Sequence, residues 1–262
     1  MNETTNGAYR HEFARVYDRL MEDMPYEEWH RFLREAWKRY KISPRKVVDL
    51  GCGTGRQTVT LARDGLHLVG IDLSEHMLAA AQEQAERHKA AITAAGGSVA
   101  WIHQDMREWD IAEEADAVVC LCDGINYMLS ERDVRAVFTR TYTGLRDGGL
   151  FVFDVLTRRQ FERYASEQPF TYDDEDIAYI WYSDWAPDER LITHELTMFV
   201  LRDEKDQLFA RFRETHRQRA HEEDELIRWL REAGFRSVDT FADFAWRQVT
   251  DDATRMFVCA VK

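Results

Sequence analysis

The segment that most constrains this chain is Val47-Val48-Asp49-Leu50-Gly51-Cys52-Gly53-Thr54-Gly55. A short apolar strand pattern ending in an acid runs directly into a turn of alternating glycines, and helical spacing of apolar residues follows to about Asp64. Glycine lets the backbone turn tightly and approach a ligand closely, at the carboxyl edge where parallel sheets bind cofactors. The segment therefore predicts a β-turn-α-β unit with a nucleotide-like ligand at the turn. It is not a dinucleotide fingerprint, because the third glycine of that pattern falls at position 56, where Arg56 stands.

The alternation continues. Strand patterns occupy residues 66–71, 99–102, 117–121 and 150–155, separated by an Ala-rich helix capped by Ser74 and by a helix opening on Ser130 with Asp133. The second helix carries the stripe Val134, Val137, Phe138, Tyr142 and Leu145 and breaks at Gly148-Gly149. Such alternation predicts an α/β, Rossmann-like, doubly wound sheet, mostly parallel. The pattern then changes. Residues 157–218 hold three stretches rich in aromatic and β-branched residues, 178–185, 191–201 and 208–217, which predict an antiparallel β insertion. A helix over about 223–233, stopped by Gly234, and strands over 235–241 and 256–261 complete a seven-stranded sheet, so 45–156 and 219–262 form the ligand-binding domain. Ahead of it, residues 1–44 hold two helical patterns, one on Phe13, Val16, Tyr17, Leu20 and Met21, the other on Trp29, Leu33, Trp37 and Tyr40 and ended by Pro44.

Two further acids follow the glycine turn in order. Asp72, in Gly70-Ile71-Asp72-Leu73-Ser74, ends the second strand, where a carboxylate accepts from both ribose hydroxyls and repels a 2′-phosphate. Asp105, in Gln104-Asp105-Met106 after the third strand, is placed to accept from an adenine amine while Met106 packs on the ring. An adenosine without a 2′-phosphate fits.

At this point the chain resembles the class I S-adenosylmethionine (SAM)-dependent methyltransferases, whose first motif ends an apolar strand with an acid and then G-x-G-x-G. The resemblance implies SAM as cofactor. It places Asp49 and the turn residues Gly51, Cys52, Gly53 and Gly55 at the methionine part, Asp72 at the ribose and Asp105 with Met106 at the adenine, with Leu73, Gln104 and Leu121 completing the set. Tyr17-Asp18-Arg19-Leu20-Met21, Pro25-Tyr26-Glu27-Glu28-Trp29, Cys122-Asp123-Gly124-Ile125-Asn126-Tyr127 and Arg213-Glu214-Thr215-His216 are similar to a bacterial small-molecule-type branch. That branch carries a β insertion after the fifth strand, and its first helix lies over the cofactor as a lid.

Composition narrows the acceptor. A formal charge of −13 and a pI near 5.2 repel phosphate backbones, so a small-molecule methyl acceptor is expected and nucleic acid is disfavoured, with Arg211, Arg213, Arg217 and Arg219 keeping an RNA methyltransferase open as an alternative. Cys52, Cys120, Cys122 and Cys259 form no C-x-x-C pair, and no apolar run reaches the ~20 residues of a membrane span, so a cytoplasmic protein without membrane attachment is expected. His216 and His221 near Glu222 and Glu223 match no recognised ligand spacing, and no metal is expected. On the 208–217 strand Glu214 and His216 share an apolar face with Leu208, Ala210 and Phe212, either as a structural pair or as a catalytic base over the acceptor. Tyr17, Asn126 and Tyr127 are the candidate positioning groups. A SAM-binding or sensing protein without catalysis remains the rival from another class, and both monomer and homodimer are open.

Overall fold

Val47, Val48 and Leu50 are each fully buried, and a strand buried on both faces has to lie inside a sheet that is covered twice. In the computed structural model, which describes residues 11–203, 205 and 208–262, that strand is central. The polar 1–10 segment and most of the 204–207 connection lie outside the described residues. The chain runs α1 (His11–Leu20), α2 (Tyr26–Arg39), β1 (Lys46–Leu50), α3 (Arg56–Arg63), β2 (His67–Asp72), α4 (Glu75–Ala94), β3 (Ser98–His103) and β4 (Ala115–Cys120). After one helical turn at Gly124–Tyr127 come α5 (Glu131–Gly144), β5 (Leu145–Leu156), α6 (Arg158–Glu167), β6 (Phe170–Asp173), β7 (Ile177–Ala186), β8 (Leu191–Asp203), β9 (Leu208–Arg219), α7 (Glu223–Ala233), β10 (Ser237–Ala242) and β11 (Arg255–Val261).

The main sheet has seven strands in the order β10-β11-β5-β4-β1-β2-β3, and within it β11 runs antiparallel to both its neighbours. Alternate residues of β1 serve two cores. Val48 and Leu50 meet Val134, Val137 and Phe138 of α5 and Leu226, Trp229 and Leu230 of α7. Val47 meets Trp29, Phe32 and Leu33 of α2 and Val59 and Leu61 of α3. Each such side chain contributes about 1.5–3 kcal/mol on leaving water. Because β1 pairs parallel with both β2 and β4, the chain leaves β1 and β4 in opposite directions, and the crevice at their carboxyl ends is the ligand position of doubly wound sheets.

Ser74 and Ser130 cap α4 and α5 as their patterns predict, accepting from the Met77 and Asp133 amides. Four sequence readings need correction. The helix α2 ends at Arg39, ahead of Pro44, because Lys41 adopts a left-handed conformation (φ 55°) and the Ile42 amide closes back on the Trp37 carbonyl (2.9 Å). Leu145 is the first residue of β5, paired with Ala115, rather than the last of the α5 stripe. The insertion is a four-stranded antiparallel sheet, β6-β7-β8-β9, rather than three-stranded; β6 has only four residues, too short for its alternation to be read as a strand. It is preceded by α6, whose one buried side chain, Phe161, leaves too narrow an apolar stripe to be read.

Candidate active site

The turn after β1 is fixed from below. The Gly51 and Cys52 amides donate to the Ile71 carbonyl (2.8 and 3.1 Å), and Gly51, Gly53 and Gly55 all have positive φ (68°, 55° and 76°). The two last glycines have different reasons. A Cβ on Gly55 would lie 2.4 Å from the Trp101 ring, whereas one on Gly53 would meet nothing within 4 Å, so Gly53 leaves the backbone open on that side. Asp72, at the tip of β2, accepts from the Gly53 and Ser74 amides (2.8 Å each) and so ties the turn to its own carboxylate. Burial raises its carboxyl above the usual range, and those two amides partly offset the shift. Asp49 is buried beneath the turn, accepts from Thr58 Oγ1 (2.5 Å), and is pushed up to about 7 by desolvation.

The remaining cofactor candidates divide. Leu73 stands 55% exposed beside Asp72, an apolar side chain at the rim of the crevice. Met106 packs under the turn, its Cε 3.2 Å from where a Gly51 Cβ would stand, and Leu121 is buried at the end of β4. Gln104 accepts from the Asp110 amide (3.0 Å). Asp105 is gripped by Arg107, whose amide and Nε lie 2.8 and 3.0 Å away, so most of its lone pairs are already taken. Cys52 is half-buried in the turn, and Cys120 is an ordinary core residue.

Helix α1 closes over this edge. Phe13, Ala14 and Val16 pack with Met77 of α4 and with Ile177 and Met198 of the insertion. Successive residues of α1 then reach different parts of the molecule. Tyr17 is turned inward, where burial and the neighbouring Tyr26, Cys122 and Tyr127 raise its phenol well above its ordinary range. Asp18 accepts from Thr54 Oγ1 of the glycine turn (2.5 Å), and Arg19 pairs with Asp174 and Asp176 at the β6–β7 turn. Two cavities, of about 220 and 520 Å³, flank α1 on its outer sides, the first lined by Arg15, Arg19, Asp176 and Arg202, the second by Asp18, Arg56, Arg87 and His88. Neither reaches the 51–55 turn, over which α1 is seated.

The loop after β4 supplies the third wall. Cys122 and Asp123 are both left-handed (φ 56° and 57°), a strained conformation for residues with a Cβ. Asp154, fully buried on β5, holds them there: it accepts from the Cys122 and Asp123 amides (2.9 and 3.2 Å) and from Trp29 Nε1 (2.9 Å), and it pairs with Arg255 of β11. Asp123 in turn accepts from Gln218 Nε2 (2.7 Å) and pairs with Arg255 (3.3 Å). Desolvation pushes its carboxyl up to about 6 despite that arginine.

Asn126 does not have the role its position suggested. It is fully buried, its amide donates to the Leu156 and Arg219 carbonyls (3.0 and 2.8 Å), and its oxygen accepts from the Leu156 amide (2.9 Å). Three of its four hydrogen-bonding sites are directed at backbone, so Asn126 staples the loop to β5 and β9.

Tyr127, at the end of the loop, reaches the inner face of the insertion: its hydroxyl lies 3.2 Å from His216 Nδ1, and the Phe13 ring of α1 lies 5.6 Å from the same imidazole. His216 thus stands where α1, the loop and the insertion meet. It sits directly across the strand pair from His194, while Glu214, fully buried, lies opposite Leu196. Trp181 Nε1 donates to His194 Nδ1 (3.0 Å), which assigns the proton of that neutral ring to Nε2. Burial lowers both histidines to about 4. Consequently His216 does not titrate near neutrality, contrary to the sequence argument; it is a neutral hydrogen-bonding group and a weak base. Sequence reasoning placed Asp123 in the loop without giving it a role, and it missed Asp154, His194, Gln218 and Arg255. Only Gln218 carried a local signal, since it continues the Glu214, His216 alternation on β9.

A sheet crevice with a G-x-G-x-G turn, an acid on each of two successive strand tips, a closing helix and a roof inserted after β5 defines a class I SAM-dependent methyltransferase. The chain belongs to the methyltransferase family: the model for the methyltransferase domain matches residues 47–149, and a protein of Geobacillus sp. (strain WCH70) that carries the name putative methyltransferase is 37% identical over 251 residues, covering 95% of this chain and 98% of its own. The crystal structure of an S-adenosylmethionine-dependent methyltransferase from Clostridium acetobutylicum superposes with a TM-score of 0.80 at 25% identity, over 95% of this chain and 97% of that one. More distantly, a glycine/sarcosine N-methyltransferase of Aphanothece halophytica is 26% identical over 226 residues, 79% of this chain and 72% of its own. SAM is the cofactor. The open side of Gly53 and the carboxylate of Asp72 suit a ribose-bearing ligand.

Proposed function

We propose that this enzyme methylates a nitrogen atom of a small molecule held between α1, the 122–127 loop and the inner face of the insertion, in the reducing cytosol that its four free cysteines suit. Asp49, the 51–55 turn and Asp72 would hold the cofactor. SAM held there would supply an electrophilic methyl group, activated by the sulfonium charge, whose transfer to an acceptor lone pair would leave S-adenosylhomocysteine as the leaving group. The chain's own contribution is to orient the acceptor and keep water out, which the seating of α1 on the turn supports.

The observation that carries the choice of nitrogen is the pairing of Tyr127 with an uncharged His216, two neutral groups placed to hydrogen-bond an amine. His194 and His216 are held near 4, Asp123 near 6 and Asp49 near 7. An uncharged amine attacks without losing a proton first, and a neutral His216 with Tyr127 can orient it by hydrogen bonds. The Aphanothece relative, named as an N-methyltransferase, supports the same atom.

The test is to incubate the enzyme with SAM and deproteinised metabolite pools and to measure S-adenosylhomocysteine. Release that depends on the small-molecule pool is the expected result. SAM binding without release would favour a sensing protein, and release only with bulk RNA would overturn the small-molecule reading.

A further inference from the structure

The sheet of the insertion has two faces, and the chain packs against one of them. The inner face meets α1 through Ile177 and Met198 and α6 through Ile192, and it carries His194 and His216. The outer face is open. Strand alternation puts Ile180 and Tyr182 of β7 and Phe209 of β9 on it, and these are three of the five large apolar side chains that stand exposed among the described residues. Phe199 of β8 lies beside them, with the Arg211 guanidinium 6.0 Å from its ring centre. An exposed apolar patch rimmed by polar groups marks a contact surface.

Charge indicates what covers it. Between the strand ends, six charged side chains stand on this face: Arg211, Arg213 and Arg217 along β9, and Asp173, Asp184 and Glu195 on β6, β7 and β8. None of the six forms an ion pair among the described residues, although arginines on the helices pair readily, as Arg39 does with Glu35 and Arg163 with Glu167. Arg219, the last residue of β9, turns back to the Leu129 carbonyl. With three arginines against three acids the face is neutral, on a chain whose formal charge is −13. Two copies therefore repel over most of their surface and can approach here without that repulsion.

The face is also self-complementary. Asp173, Ala178, Phe199 and Arg211 form one row across the four strands, the acid on the β6 edge and the arginine on the β9 edge. A two-fold axis parallel to the strands, lying between two stacked sheets, lays β9 of one copy over β6 of the other at the same height. It sets Arg211 on the partner's Asp173 and, by symmetry, the reverse, with Phe199 over the partner's Ala178. An axis across the strands would instead stack β9 on β9 and bring the arginines together. Four strands of about the 10 residues of β7, spaced ~4.8 Å apart and rising ~3.3 Å per residue, present about 500–600 Å². Two such faces bury on the order of 1,000–1,200 Å², the low end for a specific contact, so the association is reversible. We propose that the outer face of the insertion is a two-fold contact between copies of this chain, with β9 of each copy seated over β6 of the other. The acceptor side, on the opposite face of the same strands, stays clear in both copies.

The test is sedimentation velocity of the full chain at low salt, from micromolar to several hundred micromolar. A concentration-dependent shift from monomer to dimer is the expected result for the wild type. Arg211→Glu and Asp173→Arg should each weaken the dimer about tenfold or more, since each sets like charges together at both symmetric contacts. The double variant exchanges the two charges and should return to within about threefold of the wild type. Tyr182→Glu, which puts a charge into the apolar centre, should leave only monomer. All four positions are exposed, so the variants should unfold at the wild-type midpoint. A wild type that stays monomeric throughout would overturn the proposal, as would a dimer that none of the single variants weakens. Single variants that weaken the dimer without rescue in the double variant would overturn the seating of β9 over β6. A monomer that binds bulk transfer RNA through Arg211 would show that the face serves a polyanion and would overturn the proposal as well.

Discussion

Replacing Asn126 with alanine separates a structural staple from a substrate contact. The side chain makes three hydrogen bonds in a fully buried setting, donating to the Leu156 and Arg219 carbonyls at 3.0 and 2.8 Å and accepting from the Leu156 amide at 2.9 Å. Alanine leaves those backbone groups without that partner, at about 1–3 kcal/mol for each group that finds no other. Since strand pairing between β5 and β11 offers Leu156 some compensation, a total of about 3–5 kcal/mol is expected. For a chain of this size each kcal/mol lowers the melting temperature by about 2–4 °C, so Asn126→Ala should melt on the order of 10 °C below the wild type. Asn126→Asp should fare no better, because a carboxylate oxygen would face two carbonyls. Differential scanning calorimetry reads both. A variant that melts within about 2 °C of the wild type yet loses methyl transfer would refute the staple and return Asn126 to the substrate-contacting set.

Three further outcomes follow from the same geometry. Gly55→Ala should destabilise the protein, because its Cβ would meet Trp101 at 2.4 Å, whereas Gly53→Ala should fold nearly normally and lose SAM affinity in calorimetry; the reverse pattern would contradict the assignment of Gly53 to the ligand side. Arg19→Ala should speed S-adenosylhomocysteine dissociation about threefold at low salt, with the difference fading at high salt, as stopped-flow measurement would show, because surface pairs are weak and screened. For pH, His194, His216 and His221 are each lowered from 6.5 to about 4, so their contribution is complete above 6.5 and drains as pH falls toward 4. Asp49 and Asp123, raised from 3.8 to about 7 and 6, act oppositely over that window. Asp72, also raised by burial, acts with them, so the clean readout is the difference made by one histidine: between pH 6.5 and 4.5 the urea midpoint of His216→Gln should drop less, or rise more, than that of the wild type; a steeper fall in the variant would contradict the burial argument.

What the sequence disclosed and what it withheld divide along contact distance. The 51–55 turn, the caps at Ser74 and Ser130 and the acid at Asp72 are local: each pattern and its physical partner lie within a few residues or at a fixed strand-helix spacing. The face shared by Glu214 and His216 was likewise legible, because strand alternation is a property of neighbours. The acid network was not. Asp154 serves the Asp123 amide 31 residues away and Arg255 101 residues away, while Asp123 meets an arginine 132 residues distant, and no periodicity encodes such pairings. The error over His216 has the same origin: its ordinary titration range is a residue property, but its desolvation comes from Phe13, Tyr127 and the insertion together. Asn126 was misjudged because a motif position shows that a residue matters without showing whether ligand or backbone receives its amide.

The central claim, that SAM lies at the carboxyl ends of β1 and β2 with its ribose on Asp72, is tested most directly by calorimetric titration of S-adenosylhomocysteine into the wild type and into Asp72→Ala. Losing the charged partner of two hydroxyls, together with the bond that ties down Gly53, should cost about 2–4 kcal/mol and weaken binding roughly thirty-fold to a thousand-fold. Micromolar binding to the wild type and that loss in a variant that still unfolds cooperatively is the predicted result. An unchanged affinity in a folded Asp72→Ala protein would contradict the claim.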